Sequence, residues 1–226
     1  MSTTVRGERL PTAFDLSLYL VTDTGLCGEF GVAATAAAAV AAGATAVQLR
    51  DPHASDDEFL ALGRELAAVL RGTGVPLIVN DRVHLVGAIG AAGAHVGQGD
   101  LDGTEARALL GPGQVLGLSV QTLEHVAEAR ARFLRDLDYL GVGPVWAQTT
   151  KPDAAVPGGL DILAKIVAAS PWPCVAIGGI GVAQVRAVRA TGAAGIAVVS
   201  AVCGRPDVTA ATRALRKAWD QEDGTR

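Results

Sequence analysis

Residues 41–70 read AAGATAVQLRDPHASDDEFLALGRELAAVL. The small-residue run AAGATA closes one helix and opens a strand, ATAVQL at 44–49. Side chains alternate across a strand, so Val47 and Leu49 point one way and Gln48 and Arg50 the other. Pro52 then stops the strand. From 58 to 70 the period changes: Phe59, Leu62, Leu66, Val69 and Leu70 share one face of a helix. One buried strand followed by one amphipathic helix is a βα unit, and its strand ends on a polar pair.

The same unit recurs outward from this stretch. The other strands expected are LYLVT at 18–22, PLIVN at 76–80, AHVG at 94–97, QVLGLS at 114–119, DYLGVG at 138–143, PCVAIG at 173–178 and GIAVVS at 195–200. Each is followed by helical spacing, with Gly or Pro at most junctions. Near-continuous Val/Ile/Leu strands imply a parallel sheet covered on both faces. Eight such units in 226 residues imply α/β architecture as a single (β/α)8 TIM barrel over 15–220. Residues 1–14 and 221–226 are expected to be flexible tails.

Composition excludes several classes. The net charge of -4 and scattered basic residues leave no footprint for nucleic acid. The helical cluster Arg130, Arg132, Arg135 is expected to be a solvated face. Three cysteines, Cys27, Cys174 and Cys203, fit neither a disulfide framework nor a zinc site. Reduced thiols in a cytoplasmic protein are expected. MSTTVRGERLPTAFD has no apolar core of signal-peptide length. The run at 32–47 is mostly alanine, so no membrane span is expected. A homo-oligomer is left open.

In a parallel barrel, function sits at the C-terminal strand ends. Arg50 and Lys151 are cations there, and Asp81 and Asp100 are carboxylates. Together they suit small phosphorylated substrates with Mg2+, which is held by one or two carboxylates plus substrate oxygens. The plainer alternatives are Asp81 as an N-cap and Arg50 in an ion pair with Asp51. GG at 178–179 after the seventh strand and Ser200 after the eighth suit a second phosphate held by backbone N–H groups. His95 lies within a strand and is expected to be a hydrogen-bonded core or rim residue. His53, His84 and His125 lack metal-ligand spacing.

The segments VQLR, VNDR, HVGQGDL, GLSV, GVGP with TTK, AIGGI and AVVSA follow one another in the order and spacing of the thiamine phosphate synthase (thiamine-phosphate pyrophosphorylase) family, which the chain resembles over about 18–203. The resemblance implies that Gln48, Leu49, Arg50, Asp51, Pro52, Asn80, Ser119 and Lys151 bind a pyrimidine diphosphate. Gln148, Thr149, Thr150, Gly179, Val199 and Ser200 would bind a thiazole phosphate. Asp81 and Asp100 would hold Mg2+, and Arg50, Ser119 and Lys151 would be catalytic. The implied reaction joins the two heterocycles and releases pyrophosphate. The chain departs from the family pattern at three places: Pro52 where Lys is common, Gln148 where the family's T-x-T-K has Thr, and Ala92 where Asp is common. The related thiazole tautomerases place a His two residues after the G-x-S serine, where this chain has Gln121. A non-catalytic relative is favoured only by the missing Lys at Pro52, and a generic phosphate-binding barrel would leave VNDR with GQGD unexplained. The segment after Lys151 is a candidate lid.

Overall fold

The computed structural model describes residues 14–148 and 156–221. Thr149, Thr150, Lys151, the start of the candidate lid, and most of both expected tails lie outside these residues. Eight four- to six-residue strands alternate with helices. The strands are β1 (Leu18–Val21), β2 (Ala46–Leu49), β3 (Leu77–Asn80), β4 (Gly93–Val96), β5 (Val115–Val120), β6 (Tyr139–Val142), β7 (Cys174–Ile177) and β8 (Gly195–Val198). All pair in parallel with their sequence neighbours, and β8 pairs with β1, closing the barrel. The α/β barrel expected from the repeated unit is the one that forms.

Helix α1 (Thr24–Cys27) is a short extra turn in the first loop. The eight helices that follow the strands are α2 (Val32–Ala41), α3 (Asp56–Leu70), α4 (Val86–Ile89), α5 (Gly103–Leu109), α6 (Leu123–Phe133), α7 (Gly159–Ala169), α8 (Val182–Arg189) and α9 (Val208–Asp220). Helix α3 starts where its sequence says it should. Ser55 and Glu58 form a reciprocal capping box, and Asp56, Asp57 and Glu58 fill the first turn. Its buried stripe is Phe59, Gly63, Leu66 and Leu70. Val69 was expected on this face, yet it is 38% exposed. It sits about 100° around the helix from Leu70, which takes the buried position. Gly63 fills the gap, because a Cβ there would lie 2.6 Å from Ile89 Cδ1.

Strand alternation sorts the core into two layers. Leu18, Leu20, Val47, Leu49, Val79 and Leu140 pack outward against the helices. Tyr19, Val21, Ala46, Ile78, Val115, Tyr139, Val175 and Ala197 pack inside the barrel. Phe14, placed in the tail by its sequence, stacks against Tyr139 at 5.7 Å between ring centroids. At the other end, Arg189 donates to the Gln221 carbonyl. The alanine-rich α2 packs on the barrel through Ala36 and Ala39, both fully buried. Among the described residues, no single helix is long and apolar enough to cross a membrane. Cys27, Cys174 and Cys203 are free and buried.

Candidate active site

A cavity of about 340 Å3 opens at the C-terminal ends of the strands. Eight of the residues singled out by sequence line it: Gln48, Arg50, Asn80, Ser119, Gln148, Gly179, Val199 and Ser200. They come from six different strands or the loops after them, so only barrel closure brings them together.

The polar pair that ends β2 behaves as its alternation requires. Gln48 is 5% exposed and its Nε2 donates to the Tyr19 hydroxyl at 3.0 Å. Arg50 is held by its backbone, whose N–H donates to Thr22 Oγ1 at 3.1 Å. The ion pair with Asp51 does not form; among the described residues Arg50 makes none. Asp51 instead folds its own loop. Its carboxylate accepts from Thr24 Oγ1 at 2.7 Å and from the amides of His53 at 3.1 Å and Ala54 at 3.2 Å. Partial burial works to raise its pKa, but these bonds together outweigh it and hold the carboxyl below its ordinary value. Leu49 is fully buried among the outward core residues, so its side chain is not at the mouth. Neither Asp51 nor Pro52 lines the cavity.

Asp81 and Asp100 stand at the ends of neighbouring strands. The Asp81 amide donates to the His95 carbonyl at 2.9 Å, and Asp100 Oδ2 accepts from the Gly97 amide at 2.7 Å. Asp81 is not an N-cap: the turn at Val83–Leu85 that follows it has no side-chain cap. It is the one non-glycine among the described residues with positive φ, at 59°. The Arg82 amide donates to the Asn80 carbonyl at 2.7 Å, closing a tight turn around Asp81. Among the described residues, no group of three His, Cys, Asp or Glu forms a metal cage. Two carboxylates facing solvent are nevertheless the donor set that Mg2+ takes when waters and substrate oxygens complete its shell.

The GG pair has a structural task. Gly178 and Gly179 have φ of 100° and 66°. A Cβ on Gly179 would lie 2.6 Å from the Ala147 carbonyl oxygen and 2.7 Å from Trp146 Cβ. The loop after β6 therefore lies directly on the loop after β7, with Trp146 N–H donating to Gly178 O at 3.0 Å. Glycine here seats the segment that carries Gln148. Ser200 lies in the turn beyond β8, its carbonyl accepting from Arg205 Nε at 2.8 Å.

Several contributors were not assigned from the sequence. Arg82 clamps the loop that carries Arg50. It pairs with Asp56 at 3.0 Å, donates to the carbonyls of Asp51 and Ala54, and stacks on Phe59 at 4.4 Å. Tyr19 and Tyr139 line the cavity floor; burial raises both phenols far above their usual pKa. His95, expected as a hydrogen-bonded core or rim residue, is 8% exposed and bonds Tyr139 and Ser119. Inward parity in their strands was the available signal for all three. His84 pairs with Asp56 at 2.8 Å, and His125 accepts from the Gln121 amide at 3.3 Å.

Comparison with known proteins places the chain in a family. The profile of the family described as thiamine monophosphate synthase matches residues 18–202. A thiamine-phosphate synthase of Azorhizobium caulinodans is 48% identical over 207 residues, covering 92% of this chain and 96% of that one. One from Chloroflexus aurantiacus is 49% identical over 203 residues, covering 89% and 92%. Among solved structures, a thiamine phosphate pyrophosphorylase from Pyrococcus furiosus superposes with TM-score 0.83 at 37% identity, covering 93% of this chain and 98% of that chain. A 3-hexulose-6-phosphate synthase, with TM-score 0.65 and 21% identity over 90% and 99%, shares the fold. By sequence, barrel and cavity alike, this chain belongs to the thiamine monophosphate synthase family of transferases.

Proposed function

We propose that this chain joins a pyrimidine diphosphate, 4-amino-2-methyl-5-(diphosphooxymethyl)pyrimidine, to a thiazole phosphate carboxylate or its decarboxylated form. The products are thiamine phosphate, pyrophosphate and, from the carboxylated thiazole, carbon dioxide. The supporting observation is the convergence of Gln48, Arg50, Asn80 and Ser119 with Gln148, Gly179, Val199 and Ser200 around one cavity.

The bond from the pyrimidine methylene carbon to the diphosphate oxygen breaks first, and its electron pair leaves with the diphosphate. The electron-rich aminopyrimidine ring stabilises the resulting cation. The thiazole nitrogen then donates its lone pair to that carbon. No strong base is needed for this bond exchange, so the chain has to position and neutralise. Arg50, with no competing ion pair among the described residues, meets the departing diphosphate, and Lys151 is assigned the same task. Ser119 and Asn80 orient the pyrimidine end. Ser200 and the Gly179 backbone hold the thiazole phosphate. Asp81 and Asp100 are the residues that would hold Mg2+, which when bound neutralises diphosphate charge. Gln121 lines the cavity where a tautomerase would carry its histidine, and an amide offers no proton shuttle. The proposed setting is the cytoplasm.

The test is pyrophosphate release from purified protein. Release that requires both substrates and Mg2+ is expected. A folded protein that binds thiazole phosphate yet releases none would overturn the reading.

A further inference from the structure

Five cavity-lining side chains form one unbroken row of hydrogen bonds inside the barrel. Gln48 Nε2 donates to Tyr19 Oη at 3.0 Å. Tyr19 Oη meets Tyr139 Oη at 3.0 Å, and Tyr139 Oη meets His95 Nδ1 at 3.0 Å. His95 Nε2 meets Ser119 Oγ at 2.9 Å. The row starts on β2 and ends on β5, three strands away around the barrel. The Tyr139 ring lies 6.1 Å from Tyr19 and 5.4 Å from His95, so the rings hold one another in place. A Cβ on Gly117 would sit 2.2 Å from Tyr139 Cζ and 2.4 Å from His95 Nδ1, so the strand leaves room for this pair.

Proton counting limits what such a row can do. Each phenol has one proton to give, and a neutral imidazole has one N–H. Once the Gln48 amide nitrogen donates to Tyr19, Tyr19 donates to Tyr139 and Tyr139 donates to His95 Nδ1. His95 must then carry its proton on Nε2 and donate it to Ser119 Oγ. The Ser119 proton is left for the cavity, as are Gln48 Oε1 and the second Gln48 N–H. Burial keeps both phenols protonated.

We propose that Tyr19, Tyr139 and His95 are positioning residues that fix the Gln48 amide and the Ser119 hydroxyl together, with Oε1 and the second N–H of Gln48 and the O–H of Ser119 turned to the cavity. The ligand in this cavity then meets an acceptor and a donor side by side on Gln48 and a donor at Ser119. Reversing one end requires reversing every bond in the row, so the two ends act as a single specificity determinant. The kinetic consequences rest on the function proposed above; the protonation pattern does not.

The first test is the side-chain 15N spectrum of the four-histidine protein, with His95 assigned by its loss in His95→Gln. A proton on Nε2 and none on Nδ1 is expected; a proton on Nδ1 overturns the proposal. In Tyr139→Phe the fixed tautomer is expected to give way to a mixture, and an unchanged His95 signal overturns the proposal. Tyr139→Phe should also lower kcat/KM for the pyrimidine diphosphate by roughly 10- to 100-fold, with KM for the thiazole phosphate changed less than about twofold. Tyr19→Phe with Tyr139→Phe should cost no more than the worse single change, because either one cuts the row; additive losses overturn the single-unit reading. If Tyr139→Phe does not fold, the wild-type spectrum and Tyr19→Phe decide the matter. Absence of turnover in the wild type would overturn the proposed function and leave the tautomer to decide this proposal by itself.

Discussion

Asp81 has a φ of 59° and is exposed just beyond β3, outside the lining of the cavity. The left-handed region costs an ordinary residue about 1–2 kcal/mol, and Asp tolerates it better than most. Backbone and side-chain demands can therefore be separated at this one position. Asp81→Gly should stay within about 1 kcal/mol of wild type in unfolding experiments, because glycine adopts the conformation freely while adding chain entropy to the unfolded state. It should still lose Mg2+-dependent pyrophosphate release. Asp81→Val should lose both, with destabilisation of about 1–2 kcal/mol. Equal stability of the Gly and Val variants would show that the backbone at 81 relaxes when the carboxylate goes. The sequence marked Asp81 as an acid at a strand end and as an N-cap alternative. Its left-handed backbone was not legible, because the residue takes that shape from its tertiary setting between β3 and the turn at Val83–Leu85.

The loop between β2 and α3 is held from three sides. Arg82 reaches across from the next strand to the Asp51 and Ala54 carbonyls and to Asp56. Asp51 gathers Thr24, His53 and Ala54 from within and beside the loop. Arg82→Ala should destabilise the protein by about 2 kcal/mol, as a half-buried charged donor loses its acceptors. It should also raise KM for the pyrimidine diphosphate roughly tenfold, because Arg50 loses its fixed approach. Arg82→Lys should recover little, since an ammonium lacks the planar fork. Thermal unfolding and steady-state kinetics on both variants check this. Asp51 adds a pH dependence whose sign follows from its depressed pKa. Its contribution is fully present above the unfolded-state value of about 3.9 and is lost as pH falls through the lower folded-state value. The difference in melting temperature between wild type and Asp51→Asn should therefore be steady from neutral pH to about 5 and shrink below about 4. A difference that grew on acidification would mean the carboxylate is better solvated in the folded chain. The capping box of α3 was readable as Ser55 followed by Glu58, because a cap is a local bond. The clamp from Arg82 was not, because its partners lie 26 to 31 positions away.

Barrel closure depends on the seam where the last strand meets the first. Leu18 pairs with Ile196 and Leu20 with Val198. Gly195 enters this seam with no room for a side chain: a Cβ would lie 1.7 Å from the Leu16 carbonyl oxygen. Gly195→Ala should destabilise the whole barrel by roughly 3 kcal/mol or more, since the obstacle is backbone and cannot move aside. Its melting temperature should fall by about 6–12 °C for a chain of this size. A fall under about 2 °C would mean that the seam is looser than its geometry implies. Much of this architecture was already set by local pattern. Strands of period two, helices of period 3.6 and glycine or proline between them repeat eight times, and a parallel strand order leaves closure as the way to bury every edge. The same alternation put Gln48 and Arg50 on one side and Leu49 on the other, and marked polar residues at the strand ends. Those assignments need only neighbours in the chain. What the tertiary structure alone decided was which of these residues meet. It joined Gln48 to Ser119 through Tyr19, Tyr139 and His95, seated the β6 loop on the GG pair, and left Asp51, Pro52, Asp81 and Asp100 outside the cavity lining. Contacts between distant strands depend on register, barrel curvature and the space left by single glycines, and none of these is written in the period of any one segment.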